Sequence, residues 1–209
     1  MRAGRGLLII VTGPSAVGKG AICRALLRQG SGVRFSVSVT TRPPRPGERD
    51  GVEYFFVTRE EFERRVQAGD LLEWAEVYGN YYGTPRKPVE EALARGEDII
   101  LDIDIAGATA VRRQYPDALS VFVLPPSMAE LEVRMRRRAS ETEEAIRRRL
   151  AEAPRWIAQG LEYDYVLVND DLEHAVSQLR AIIVAEKCRV GRRGRELIRT
   201  LLEKGVIEP

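Results

Sequence analysis

The stretch that most constrains this chain is Gly13-Pro14-Ser15-Ala16-Val17-Gly18-Lys19-Gly20. It follows an apolar, β-branched run, Leu7-Leu8-Ile9-Ile10-Val11, and leads into a segment of helical character, Ala21-Ile22-Cys23-Arg24-Ala25-Leu26-Leu27. A strand, a Gly-rich turn and a helix, in that order, are the setting a phosphate-binding loop requires. Gly13 and Gly18 allow backbone angles that residues with a Cβ avoid, so successive N–H groups can turn inward onto an anion. The helix adds unpaired N–H groups and the positive end of its dipole, and Lys19 reaches the outer phosphates of a nucleotide. The pattern asks for Ser or Thr after the lysine, to put a hydroxyl on Mg²⁺, whereas this chain has Gly20 and then Ala21. The bland alternative is an ordinary Gly-rich turn with a chance lysine; the flanking strand and helix argue against it.

A chain of 209 residues at 44% hydrophobic can bury a sizeable core and suits one domain with subdomains. Its formal net charge of +2 sets up no strong field for nucleic acid or a membrane surface. Only Lys19, Lys87, Lys187 and Lys204 of its 33 basic residues are lysines. Arginine favours rigid, bidentate phosphate contacts, although genomic base composition or heat adaptation would give the same bias. Cys23 and Cys188 have no metal-ligand spacing and read as free thiols in a reducing compartment. The apolar run after Met1-Arg2-Ala3-Gly4-Arg5-Gly6 is too short for a secretion signal, and no stretch could span a bilayer. The expected location is the cytoplasm.

Downstream, Arg34-Phe35-Ser36-Val37-Ser38-Val39 alternates like a strand and enters Thr40-Thr41-Arg42-Pro43-Pro44-Arg45-Pro46-Gly47-Glu48. Three prolines stiffen that loop, so Arg42 and Arg45 lose little entropy when an anion binds; a solvated linker is the alternative. Glu53-Tyr54-Phe55-Phe56-Val57 reads as a strand, and Thr58 with Glu61 as a capping box for a helix from Arg59 to Ala68. Gly79-Asn80 is a hairpin signal between Leu71–Tyr78 and Tyr81–Thr84. Residues 34–88 thus form a small antiparallel insert. Within it Glu73 sits in a largely apolar strand, where a carboxylate is costly without donors; a solvent-facing position would explain it equally.

Val89 to Arg95 reads as a helix, and Asp98-Ile99-Ile100-Leu101-Asp102-Ile103-Asp104 as a strand with acids at its carboxyl end, the end that faces ligands in a parallel sheet. Asp102 falls where a carboxylate meets a metal's hydration shell; a surface turn explains Asp104 better. A further buried strand, Ser120–Leu124, stops at Pro125-Pro126. In residues 127–159, Ser127 with Glu130 and Ser140 with Glu143 make two capping boxes, so two helices carry Arg134, Arg136, Arg137, Arg138, Arg147, Arg148, Arg149 and Arg155. Most of these read as a solvated face, yet a helical hairpin with few apolar residues also suits a mobile lid. A strand, Tyr165–Val168, then Asn169-Asp170-Asp171 and an amphipathic helix complete the core. The segment from Arg189 to Pro209 is either a docked helix or a partner contact.

Taken together, the chain resembles the guanylate kinases, a P-loop nucleoside monophosphate kinase family, over roughly residues 6–187. The likeness rests on the phosphate loop, Ser36–Arg42 with Arg45-Pro46-Gly47-Glu48, Gly79-Asn80-Tyr81-Tyr82-Gly83-Thr84, Leu101–Asp104, and Tyr163-Asp164-Tyr165 through Asn169-Asp170. It implies an α/β fold: a P-loop kinase core with a parallel sheet and flanking helices (1–33, 89–126, 160–188), a small antiparallel GMP-binding insert (34–88), a helical lid (127–159) and a tail (189–209). It implies transfer of the γ-phosphoryl group of ATP to GMP, and to dGMP, with Mg²⁺ as cofactor. Carried over by position, Gly13 to Gly20 with Asn169 bind ATP, and Asp102 meets the metal through water. Arg42, Arg45, Tyr54 and Tyr82 hold the GMP phosphate, while Ser38, Glu73, Thr84 and Asp104 read the guanine. Lys19, Arg134, Arg138 and Arg149 act on the transferring phosphate. The implied partners are ATP and GMP, with no nucleic acid or membrane.

The chain departs from the family pattern at Ala16, where Gly is frequent, at Gly20, at Ala106 in place of a polar residue, and at Arg137-Arg138-Ala139 in place of Gly-Arg-Gly. Two other readings remain open at this stage. One is a scaffold module of this fold that binds peptides and catalyses nothing; Lys19, Arg138 and Arg149 argue against it. The other is a kinase of a different small phosphorylated acceptor, against which Glu73 with Thr84 argues for guanine.

Overall fold

The structure is a computed structural model and describes residues 6–137 and 142–205. Its centre is β1 (Leu8–Thr12), every residue of which is buried. A strand buried on both faces reads as a continuous apolar run, as this one does. Strands β1, β2 (Arg34–Phe35), β7 (Ile99–Asp102), β8 (Leu119–Leu124) and β9 (Tyr165–Val168) form one sheet in the order β2-β7-β1-β8-β9. All four pairings are parallel.

Alternate side chains of β1 serve opposite layers. Ile9 and Val11 pack with Ile22 and Leu26 of α1 (Lys19–Arg28) and with Val176 and Leu179 of α7 (Leu172–Cys188). Leu8 and Ile10 face Val89 and Leu93 of α3 (Arg86–Ala94) and Ala108 and Val111 of α4 (Ile105–Gln114). The helix expected from Val89 begins three residues earlier. Pro88 falls in its first turn, where the missing N–H has no intrahelical partner to lose.

The second sheet runs β4-β3-β6-β5, built from β3 (Ser38–Thr40), β4 (Tyr54–Phe56), β5 (Leu71–Val77) and β6 (Asn80–Pro85). The expected antiparallel insert is present as β3–β6 and β5–β6, with β4 added parallel to β3. Helix α2 (Arg59–Gln67) follows, and the Thr58 hydroxyl accepts from the Glu61 N–H at 3.2 Å as the capping box requires. Two local readings are corrected. The run from Arg34 to Val39 is not one strand: β2 pairs with β7 in the core sheet and β3 opens the second. The hairpin turn is Tyr78-Gly79 rather than Gly79-Asn80, since Val77 pairs with Asn80.

Helices α5 (Met128–Arg137) and α6 (Glu143–Ala158) form the expected helical hairpin. Ser127 caps α5 through the Glu130 N–H at 3.1 Å. Ser140 and Arg138 lie outside the described residues, and α6 is capped by Thr142, which accepts from the Ala145 N–H at 3.3 Å. The hairpin carries a small core of its own, Leu131, Met135, Ile146 and Ala153, with Ala16 of the phosphate loop packed against it. After α7 the chain makes a turn of π-helix and ends its described course in α8 (Arg195–Lys204). Among the described residues no helix is long and apolar enough to cross a membrane.

Candidate active site

Parallel strands deliver their ligand-facing groups at their carboxyl ends, and here β1, β7 and β9 end on the phosphate loop, Asp102 and Asn169. The loop leaves β1 with Gly13 at φ +141° and closes into α1 with Gly18 at φ +99°. At Gly18 a Cβ would also lie 2.2 Å from the Asn169 amide nitrogen, so any side chain there would drive the two apart. That amide donates to the Val17 carbonyl at 2.8 Å. Asn169 is therefore buried as a brace of the loop, while its edge still lines the cleft. Val17 itself turns its side chain into the core and offers the site only backbone. Lys19 Nζ donates to the carbonyls of Gly13 at 2.9 Å and Pro14 at 3.3 Å, arching over the loop where phosphate oxygens would sit.

The cleft measures about 1430 Å³ and brings residues from all three parts of the chain together. A single small-ligand pocket is typically ~300–1,000 Å³, so the space suits more than one ligand. Asp102, Asp104, Lys19 and Asn169 line it from the core, and Ser38, Arg42, Arg45, Tyr54, Glu73 and Tyr82 from the second sheet. Arg134 and Arg149 line it from the helical hairpin. Arg138 lies outside the described residues. Thr84 is brought to the site but fully buried behind it, with its hydroxyl donating to Glu73 Oε1 at 2.6 Å.

Glu73 is itself 6% exposed. Burial, offset in part by the Thr84 hydroxyl and added to by the nearby Asp104 charge, pushes its carboxyl up to about 7. Asp104 is raised too, chiefly by burial. It is not a plain surface turn: its Oδ1 caps α4 by accepting from the Gly107 N–H at 2.7 Å. Two carboxylates therefore face one apolar-backed corner with few protein donors, an arrangement that suits a ligand rich in N–H groups.

A second corner is cationic. Glu48 grips Arg42 with both oxygens, at 3.0 and 2.9 Å, and accepts from the Arg45 N–H at 2.8 Å. The Arg42 guanidinium also lies over the rings of Tyr54 and Phe56, and its Nε is buried with no hydrogen-bond partner among the described residues. Burial, with the Asp102 charge behind it, pushes the Tyr54 phenol well above its ordinary range, so it remains a donor. Tyr82 packs edge-on against Tyr54 at 5.9 Å. A planar cation, two phenols and Arg45 converge there as an anion site would demand. On the hairpin side, Arg134 donates to the Val17 carbonyl at 3.3 Å and Arg149 to the Ser15 hydroxyl at 3.1 Å.

Comparison with known proteins gives this arrangement a family. A family model described as guanylate kinase matches residues 5–186. The chain belongs to the guanylate kinase family. It is 68% identical over 203 residues to the guanylate kinase of Symbiobacterium thermophilum, covering 97% of this chain and 96% of that one. Identity to the guanylate kinase of Desulfitobacterium hafniense is 51% over 193 residues, 92% of this chain and 96% of that one. The crystal structure of guanylate kinase from Anaplasma phagocytophilum superposes with a TM-score of 0.78 at 36% identity, covering 98% of each chain.

Sequence reasoning left two of these groups without a role. Glu48 stood inside a quoted motif, and its spacing of six from Arg42 on a proline-stiffened loop was the available signal. Gly107 had none. A Cβ there would lie 2.4 Å from Glu73 Oε2, so position 107 must carry no side chain for the carboxylate to fit.

Proposed function

We infer that this chain transfers the γ-phosphoryl group of ATP to GMP, giving ADP and GDP, and accepts dGMP as well. The observation that carries the reading is the buried Glu73 carboxylate, held by Thr84 across the same cleft as the phosphate loop. Guanine offers two adjacent donors, N1–H and the 2-amino group, and a carboxylate accepts both. Adenine has no 2-amino group and presents an acceptor at N1, leaving Glu73 repelled and unpaired, a loss of about 1–3 kcal/mol or more. Ser38 and Asp104 complete the guanine corner, with Thr84 acting through Glu73. Arg42, Arg45, Tyr54 and Tyr82 take the phosphate of GMP, and the phosphate loop with Lys19 takes those of ATP.

Phosphoryl transfer asks for two nucleotides in line and positive charge on the equatorial oxygens. Lys19 supplies that charge on the donor side and Arg42 on the acceptor side. Arg134, Arg138 and Arg149 bring the remainder from the lid, which also excludes water that would take the phosphoryl group. Mg²⁺ bound with ATP would supply further positive charge to the phosphates. Among the described residues no cluster of three or more His, Cys, Asp or Glu side chains could hold a metal alone, whereas a single hard carboxylate oxygen beside the loop suits an ion that keeps several waters. Asp102 Oδ2 lies 3.1 Å from where a Cβ on Gly20 would stand, beside the loop, and would be the group that orients the ion's waters. The fold and the absence of a membrane-spanning helix among the described residues are in keeping with a cytoplasmic enzyme acting on free nucleotides.

A coupled ADP-release assay with GMP, dGMP, AMP, CMP and UMP tests the reading. Release with GMP and dGMP alone is expected. Faster release with another acceptor would move the guanine assignment, and silence with all five would leave a binding module.

A further inference from the structure

The turn between β5 and β6 contains a residue that the strand pairing alone does not call for. Tyr78 and Gly79 have φ +52° and +79°, both positive as a type I′ hairpin turn requires. The first position of such a turn favours Asn, Asp or Gly, and a bulky aromatic residue there is a conformational outlier. Strain of this kind persists where the surroundings use it. The Tyr78 ring is in use: the Arg149 guanidinium carbon lies 3.6 Å from its centroid, and that of Arg148 lies 5.4 Å away. Both arginines are on α6, across the cleft from the hairpin.

We propose that Tyr78 is a positioning residue that holds the lid cation Arg149 from the acceptor side of the cleft. The geometry explains why a ring suits this task better than a carboxylate. Stacking occupies the flat face of a guanidinium and leaves the N–H groups, which lie in its plane, available as donors. One of them reaches the Ser15 hydroxyl at 3.1 Å, directly on the phosphate loop. A carboxylate would take two of those donors and cancel the charge, as Glu130 does in part for Arg134 at 2.7 Å. The ring rides on the hairpin that also carries Glu73, Tyr82 and Thr84. Acceptor binding that fixes this hairpin therefore fixes the ring, and with it a cation that touches the donor loop. The chain thereby links occupation of the acceptor site to the placement of charge for transfer.

The inference rests on Arg149 serving the transfer, and the test separates the two. Steady-state kinetics and thermal melting are measured for Tyr78→Asn, Tyr78→Phe, Arg149→Ala and the double variant Tyr78→Asn/Arg149→Ala. Asparagine suits the turn but has no ring, so in Tyr78→Asn the relieved turn strain should offset the lost contact and keep Tm near the parent's, while kcat falls about tenfold, the scale of one desolvated cation–π contact. The KM values for GMP and ATP should stay within about twofold, because no substrate contact is lost. Tyr78→Phe should restore kcat, since the face is retained. The double variant should be no slower than Arg149→Ala alone, because the two residues act as one unit. Parental kcat in Tyr78→Asn, additive losses in the double variant, an effect confined to KM, or a Tm that falls together with kcat would each overturn the proposal. Parental turnover in Arg149→Ala would instead remove the lid role of Arg149 on which it stands.

Discussion

If Glu73 reads the guanine as proposed, its raised ionisation makes GMP recognition pH-dependent with a definite sign. Two guanine donors need an ionised carboxylate, yet the free enzyme holds Glu73 protonated below about pH 7, mainly because it is buried. GMP must then expel a proton in order to bind. For one such group the apparent KM grows by the factor 1 + [H⁺]/Ka, so it should rise about tenfold between pH 8 and pH 6. The phosphate of GMP also titrates near pH ~6 and would blur that trend. Glu73→Gln removes the blur, because it keeps the phosphate titration and deletes that of residue 73. At pH 8 this variant should show a KM for GMP roughly 10²-fold above the parent, the scale of one or two lost charged hydrogen bonds. By pH 6 the gap should shrink to about tenfold, as the parent loses the same acceptor to protonation. The KM for ATP should not move in either protein. Parallel pH profiles for parent and variant would refute the reasoning and place guanine reading elsewhere. The same shift bears on stability. The folded carboxyl titrates above its unfolded counterpart, so its contribution is fully present below the unfolded value near pH ~4.5 and is lost as pH rises through about 7. Without substrate, Glu73→Gln should therefore melt higher than the parent at pH 8, and this advantage should vanish toward pH 5.

Three further outcomes follow from the site. Gly107→Ala puts a Cβ 2.4 Å from Glu73 Oε2; overpacking of about 1–3 kcal/mol should raise the KM for GMP roughly 10- to 10²-fold with the KM for ATP unchanged, and equal KM values would release Glu73 from that corner. Gly20→Ser crowds the Asp102 carboxylate at 3.1 Å and introduces a hydroxyl, so the Mg²⁺ concentration needed for activity should change while the KM for GMP stays put; an unchanged Mg²⁺ titration curve would count against water orientation by Asp102. Arg138→Ala, judged from the family resemblance alone, should slow kcat by roughly 10³-fold with little loss of GMP binding, and near-normal turnover would return Arg138 to the solvated charges.

Much of the core was legible in the chain because its signals are local. A buried strand, a Gly-rich turn and a helix occupy adjacent residues, and so do Thr58 with Glu61 and Ser127 with Glu130. The misplacements came where distant pairing decides. Alternation from Arg34 to Val39 fits a strand in either sheet, and only the Ile99 and Ile100 partners of Arg34 and Phe35 show that β2 belongs to the core. Gly79-Asn80 is a stronger turn signal than Tyr78-Gly79, yet cross-strand register, with Trp74 opposite Gly83 and Ala75 opposite Tyr82, draws Asn80 into β6. The small core of the α5–α6 hairpin was hidden for a related reason, since Leu131, Met135 and Ile146 are spread over two charged helices and meet only when these fold together.

One pattern runs through the basic residues of the cleft, and it bears on how the enzyme stores charge for transfer. Four basic residues of the cleft are already engaged by protein groups. Lys19 rests on the Gly13 and Pro14 carbonyls, Arg149 on the Ser15 hydroxyl and the Tyr78 face, Arg134 on Glu130 and the Val17 carbonyl, and Arg42 on Glu48. Like charges gathered in one cleft would otherwise repel and draw in water, and both must be undone before a substrate can bind. Neutral carbonyls accept from Lys19, and a hydroxyl and a ring meet Arg149. A phosphate oxygen that replaces such a partner gains a charge-assisted hydrogen bond, roughly twice as strong as a neutral one. Arg42 differs, because Glu48 is itself charged. Its second oxygen also anchors the Arg45 N–H, so Glu48 ties Arg42 to the loop that carries both arginines. The partners thus divide by charge: carbonyls, a hydroxyl and a ring on one side, and the carboxylates of Glu130 on Arg134 and Glu48 on Arg42 on the other. On the proposed function, the neutral partners are the ones that a phosphate oxygen would replace with a net gain, while Glu48 would keep the Arg42 loop in shape before GMP arrives.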